Sequence, residues 1–275
     1  MGPIYNLCIL FLYHKCDELT KFHLSVLCKS NPTAIVVPLT DSVPELLPGS
    51  IDVSLFPSLF SDAPKWRSID ATIYRWFRNR KVNARRYLII EYDCLCNVDL
   101  NNYYAEVMSA DVAGIDLFTR ADNPGWKWFR DEEVNKLPYE DRTFAAGIVP
   151  FTCTIFSHEA LENIVENVYR QDVFCELRLG TIIRKLGLRF QRLQLLMRST
   201  ICWHTYPWKT SRPGLFHSIK TLDHNKGKYR QPGSIGSYIY DLLRSHTHDR
   251  EFLPFNLHGK RLKLMRVLNI SEPSK

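Results

Sequence analysis

The chain has 275 residues, 45% of them hydrophobic and 24% charged, with a formal net charge of +7; this is ordinary globular composition and enough length for a large core. No apolar run reaches the roughly 18–20 residues needed to span a bilayer. The basic residues form no long stripe or nucleic-acid motif, so a polyanionic small ligand is expected in place of nucleic acid.

The N-terminal run YNLCILFLYH (5–14) predicts a first buried strand; it lacks the basic n-region and small-residue cleavage site of a signal peptide. Asp17 to Ser30 carries Leu19, Phe22, Val26 and Leu27 at helical spacing, and Asn31-Pro32 stops that helix. TAIVVPLT (33–40) is rich in β-branched residues and predicts a second strand, followed by a loop with Pro44, Pro48 and Pro57. WRSIDATIYRWFRNRK (66–81) places Ile69, Ile73, Trp76 and Phe77 on one helical face, and YLII (87–90) is the next strand. Beyond it, Leu100 to Met108 predicts a short helix, DVAGIDLF (111–118) a strand, and 120–143 a long surface loop. AGIVPFTCTIFS (146–157) predicts one more strand, running into a helix that begins near Ser157 or His158. A last helix, from about Glu176 to Leu186, meets Gly187 as its C-cap. Strands alternating with helices predict a single α/β domain with a mostly parallel sheet flanked by helices.

The eight cysteines (Cys8, Cys16, Cys28, Cys94, Cys96, Cys153, Cys175 and Cys202) are scattered through apolar segments. Reduced, buried thiols and a cytoplasmic setting are expected. Cys94-x-Cys96 has no second Cys or His pair at structural-zinc spacing, which argues against a zinc site there.

The strand YLII ends in Glu91, Tyr92 and Asp93. In open α/β sheets, ligands bind outside the carboxyl ends of strands. Residues i and i+2 of an extended backbone share a side, so Glu91 and Asp93 can face one small volume. Carboxylates that close repel unless a proton or a cation offsets them, and Mg²⁺ or Mn²⁺ bridges carboxylates to substrate phosphates. The competing structural role pairs one acid with Arg85 or Arg86 and leaves the other to cap a turn.

EYD at 91–93, after a hydrophobic strand and before a short helix, resembles the DxD-type motif of GT-A fold glycosyltransferases, with Glu where that family more commonly has Asp. The resemblance extends to FCELRLGT (174–181) and GLFHSIK (214–220) and covers most of residues 5–220. It implies a nucleotide-sugar-binding half (1–100), an acceptor-side half (101–225) and a C-terminal helical, basic tail (226–275). It further implies that Asp93 binds the metal (Mn²⁺ or Mg²⁺) directly, and that Glu91 contacts metal-bound water or the donor, with Tyr92 between them. His217 would be a late ligand of metal or diphosphate, and Lys220 would neutralise phosphate charge. Glu176 would be the general base of an inverting transfer, the alternative being a first-turn acid that complements the helix dipole with Arg178 as a surface partner.

The donor, a UDP- or GDP-linked sugar, is expected among the ends of the first strands, at His14, Thr40 and Asp41. Asp70 is weighed between a nucleotide contact and the outer helix face. Trp126, Trp128 and Phe129 in GWKWF are expected either at a glycan or other hydroxyl acceptor, or folded back as a lid over core. Two weaker signals remain: His246-x-His248-Asp249, and the segment 257–268, whose Lys260, Arg261, Lys263 and Arg266 suit peripheral membrane contact. Two rival functions stand beside the transferase. A metal-dependent nucleotidyltransferase would usually bring a glycine-bearing phosphate loop, whereas the turn here is HKCDEL. A non-catalytic nucleotide-sugar-binding module would be expected to lose the acid pair or the late histidine.

Overall fold

The computed structural model describes residues 4–41, 43–57, 67–80, 82–168, 172–194, 197, 201 and 213–219. Strand β1 (Ile4–Leu12) leads to helix α1 (Glu18–Ser30), then β2 (Ile35–Thr40), β3 (Ile51–Asp52), α2 (Ile69–Asn79) and β4 (Asn83–Glu91). After them come β5 (Leu95–Cys96), α3 (Leu100–Tyr103), β6 (Val112–Gly114), β7 (Asp116–Thr119), α4 (Asp131–Val134) and β8 (Ala146–Val149). The described chain closes with β9 (Ile155–Ser157), α5 (His158–Asn167), α6 (Cys175–Lys185), β10 (Phe190–Arg192) and β11 (Leu215–Phe216).

Seven strands form the central sheet in the order β10-β6-β9-β4-β1-β2-β3, parallel except for β9, which runs antiparallel to both its neighbours. Helices cover both faces. Leu7, Ile9 and Phe11 of β1 enter one core with Leu27, Leu100 and Tyr104 from α1 and the α3 region. Cys8, Leu10 and Leu12 enter the other with Trp76 and Phe77 of α2, Ile164 of α5 and Ile182 of α6. Burial of both faces explains why the strand reads as an unbroken apolar run without polar alternation.

The helix boundaries follow local chemistry. The carboxylate of Asp17 accepts from the Thr20 N–H (2.8 Å) and starts α1, and the hydroxyl of Ser157 accepts from Ala160 N–H (3.0 Å) and starts α5. Gly187 takes a positive φ of 62° just past α6, as expected of a C-cap. Helix α1 is rotated from its expected face: Leu19, Thr20, His23 and Leu27 are buried while Phe22 is exposed.

Two expected strands divide, and one expected loop is partly helical. The stretch 111–118 is two strands, β6 in the main sheet and β7 in a separate two-stranded sheet with β8. Likewise 146–157 is β8 and β9, with Pro150 between them, a residue that offers no N–H to a ladder. The segment 120–143, expected as loop, holds α4 and two 3₁₀ turns (Lys127–Phe129 and Tyr139–Phe144). Among the described residues no helix is long and apolar enough to cross a membrane. Trp66, Lys220, His246, His248, Asp249 and the segment 257–268 lie outside the described residues.

Candidate active site

Parallel pairing brings the strand ends level. Leu12 of β1 pairs with Leu39 of β2 and with Glu91 of β4, so the residues that follow all emerge along one sheet edge. The extended backbone stops at Glu91, and Tyr92 and Asp93 form a turn closed by the Cys94 N–H donating to the Glu91 carbonyl (2.9 Å). Neighbouring elements fix this turn. Tyr92 N–H donates to Leu12 O (2.8 Å), Glu91 N–H to Thr152 Oγ1 (3.0 Å), and Ile219 N–H to Asp93 O (2.6 Å). His23 Nδ1–H of α1 donates to Tyr92 O (2.8 Å).

The late segment arrives through β11, which pairs antiparallel with β5 in the register Leu215↔Cys96 and Phe216↔Leu95. One step further along this register lies His217. Its Nε2 is 3.6 Å from Asp93 Oδ1 and 3.9 Å from Glu91 Oε2. Both acids therefore face the histidine, although the turn, and not continued extension, aims them.

The donor set fits a divalent cation. Ligand atoms of Asp93, His217 and Cys94 lie within 4.8 Å of one another, and Glu91 adds a second carboxylate beside the imidazole. Two carboxylates and an imidazole suit Mn²⁺ better than Mg²⁺, which prefers oxygen throughout. Burial pushes the Cys94 thiol well up, and its sulfur sits 3.4 Å from Thr152 Oγ1. Sequence spacing had linked Cys94 to Cys96; the fold sets Cys94 beside Asp93 and His217 instead.

His14 and Tyr92 meet as neighbours, edge to face at 4.4 Å, and Lys15 Nζ stands 5.0 Å over the Tyr92 ring. Burial pushes the Tyr92 hydroxyl up to about 12, with Asp93 and Glu91 adding to the rise. Lys15 was not singled out from sequence, yet it brings a cation to this edge. Asp41, at the end of β2, is half-buried and pairs with Arg75 of α2 (3.6 Å). Thr40 is the last residue of β2, where the sequence expects the strand to end; it pairs with Asp52 of β3 and is buried.

Glu176 sits in the first turn of α6 but is buried, accepting from the Phe151 N–H (3.0 Å). Burial pushes its pKa up to about 8 despite that hydrogen bond, and the charge of Glu91 contributes to the rise. The helix-dipole alternative placed Arg178 on the surface as a partner of Glu176. Instead Arg178 is fully buried and donates from Nε and Nη2 to both oxygens of Asp70 (2.8 and 2.6 Å). This also corrects both expectations for Asp70. It lies neither on an outer helix face nor open to a nucleotide, because a buried carboxylate needs a buried countercharge.

The aromatic cluster divides in the same way. Phe129 is 1% exposed and packs with Phe118, Leu137, Val173 and Leu177, so it is core and not an acceptor platform. Trp126 lies half-buried over Gly147, and Trp128 stacks on Phe174 at 4.0 Å between centroids, with Arg67 and Lys127 over its ring. The apolar expectation for this loop prevails at Phe129 because one fully packed ring anchors the short 3₁₀ turn.

His23 escaped sequence reading. It is fully buried, its Nε2 finds no partner among the described residues, and burial lowers its basicity. The available signal was a polar ring at the i+4 position from Leu19, on the helical face that also carries Leu27.

No protein-family model and no curated protein matches the sequence. Among solved structures the chain is similar to the galactosyltransferase LgtC, solved with donor and acceptor sugar analogs, at 11% identity and TM-score 0.39, covering 92% of this chain and 99% of that one. It is also similar to the glycosyltransferase GlyE of Streptococcus pneumoniae, at 11% identity and TM-score 0.39, covering 98% of this chain and 66% of that one. A third is mouse xyloside xylosyltransferase 1 in its apo form, at 12% identity and TM-score 0.42, covering 79% and 98%.

Proposed function

We propose that the chain is a metal-dependent glycosyltransferase that moves a sugar from a UDP- or GDP-linked donor to a hydroxyl acceptor, a glycan among the candidates. The observation that carries this reading is the convergence of Glu91, Asp93 and His217, from segments more than a hundred residues apart, at the carboxyl ends of β1 and β4. Asp93 and His217 would hold Mn²⁺, with Glu91 reaching metal-bound water or the donor. The cation, when bound, supplies charge neutralisation for the departing diphosphate. His14, Tyr92, Asp41 and Lys220 would serve the donor, and Trp126 and Trp128 the acceptor side.

Glu176 is the proposed base of an inverting reaction. The acceptor oxygen forms its bond to the sugar C1 as the C1–phosphate bond breaks. Its proton passes to a Glu176 carboxylate oxygen, and the bonding electrons leave with the diphosphate. Among rivals, the nucleotidyltransferase lacks support at the first turn: Lys15 and Asp17 pair there (2.6 Å) in a stretch without glycine.

Calorimetric titration with UDP and GDP, each with and without Mn²⁺, tests the reading on wild type and Asp93→Ala. Expected is Mn²⁺-dependent binding of one nucleotide, lost in the variant. Absence of binding under every condition would sink the transferase reading. Binding that survives in Asp93→Ala, without transfer, would favour a non-catalytic module.

A further inference from the structure

The turn Glu91–Tyr92–Asp93 must hold two like charges toward one histidine, which the electrostatics oppose. Its other backbone groups are tied from several sides: Leu12 O holds Tyr92 N–H, Glu91 O holds Cys94 N–H, Ile219 N–H holds Asp93 O, and Thr152 Oγ1 holds Glu91 N–H. The carbonyl between the two acids is held from α1. It accepts from a side chain, His23 Nδ1–H, at 2.8 Å and across 69 residues of sequence.

His23 is an expensive choice for this place. It is 0% exposed on the buried face of α1, beside Leu19 and Leu27, where an apolar side chain would pack without cost. Its Nε2 is buried with no partner among the described residues, so the ring bears a desolvation cost for one hydrogen bond. That bond goes to Tyr92 O, the carbonyl between the Glu91 and Asp93 side chains, on the turn that aims both at His217 Nε2.

Building on the function proposed above, we infer that His23 is a positioning residue: its Nδ1–H pins the Tyr92 carbonyl and so holds the Glu91 and Asp93 carboxylates in the geometry that takes the cation. Donation to a carbonyl fixes the neutral ring as the Nδ1–H tautomer. An asparagine can place an amide N–H close to the Nδ1 position, whereas the glutamine amide lies one methylene further out. The two amides therefore separate a requirement for this hydrogen bond from a requirement for any polar group.

The test is Mn²⁺ titration of the full chain followed by the electron paramagnetic resonance of free Mn²⁺, which reads binding without turnover. Wild type, His23→Asn, His23→Gln and His23→Leu are compared, with circular dichroism confirming the fold of each. Expected is a Kd within about threefold of wild type for His23→Asn, and roughly tenfold to hundredfold weaker binding for the other two, the range seen when the groups that orient metal ligands are removed. A merely structural histidine would lower the melting midpoints of His23→Gln and His23→Leu yet leave their Mn²⁺ affinity at the wild-type value, and that result would overturn the inference alone. If His23→Leu does not fold, the Asn–Gln comparison decides. Wild type that takes up no Mn²⁺ would overturn the functional reading and the inference together.

Discussion

With its pKa pushed up to about 8 by burial, Glu176 is mostly a neutral acid at pH 7. As a general base it must first lose that proton. The rate of transfer should then rise roughly tenfold per pH unit below about 8 and level off above it, and Glu176→Gln should abolish that limb along with most activity. Initial rates across pH 6–10 check this; a flat profile in wild type would remove Glu176 as the base. Stability moves the other way. The folded state holds the proton more tightly than the unfolded chain, where a glutamate titrates near 4.5, so this contribution is whole below 4.5 and lost as pH rises through about 8. At this scale the sequence was informative about Glu91 and Asp93, because acids at a strand end are anomalous in a core. It could not separate a buried Glu176 from an ordinary first-turn acid, since both give the same letters at a helix start.

The placement of Glu176 depends on helix α6, which lies directly on β8. Gly180, one turn after Glu176, makes that contact. A Cβ added there would stand 2.4 Å from the Ala146 carbonyl oxygen, a backbone atom that no rotamer change can move. Gly180→Ala should cost about 1–3 kcal/mol by urea denaturation as the helix is forced off the strand. It should also lower activity further than the loss of folded protein explains, because Glu176 moves with the helix. Full stability and rate in the variant would show that α6 has room to shift. Element type was largely legible, and Gly187 acts as the C-cap its chemistry predicted; the side-chain caps by Asp17 and Ser157 came from the structure. The division of 111–118 and 146–157 was not. Each half is apolar enough for one strand, and only the sheets available to pair with decide where the ladder changes partner.

At the scale of the whole fold, the buried pair Asp70–Arg178 joins α2 to α6 across 108 residues of sequence. Arg178→Met should destabilise by about 3–5 kcal/mol, because it removes the buried countercharge of Asp70. Adding Asp70→Leu should recover much of that loss, and chemical denaturation of the single and double variants checks it. A double variant no more stable than Arg178→Met would mean that the Arg178 bond to the Val173 carbonyl (2.9 Å) matters more than the ion pair.

By itself the sequence determined the α/β layering, the C-cap at Gly187 and the acid pair at a strand end. These rest on periodicity, capping and burial preferences that act within a few residues. The resemblance already implied that His217 shares the metal with Asp93; tertiary structure alone decided that Asp70 answers Arg178 and that His23 holds the Tyr92 carbonyl. Those pairings are set by strand register and helix docking, which sum many weak contacts over the entire chain and leave no mark at any one position.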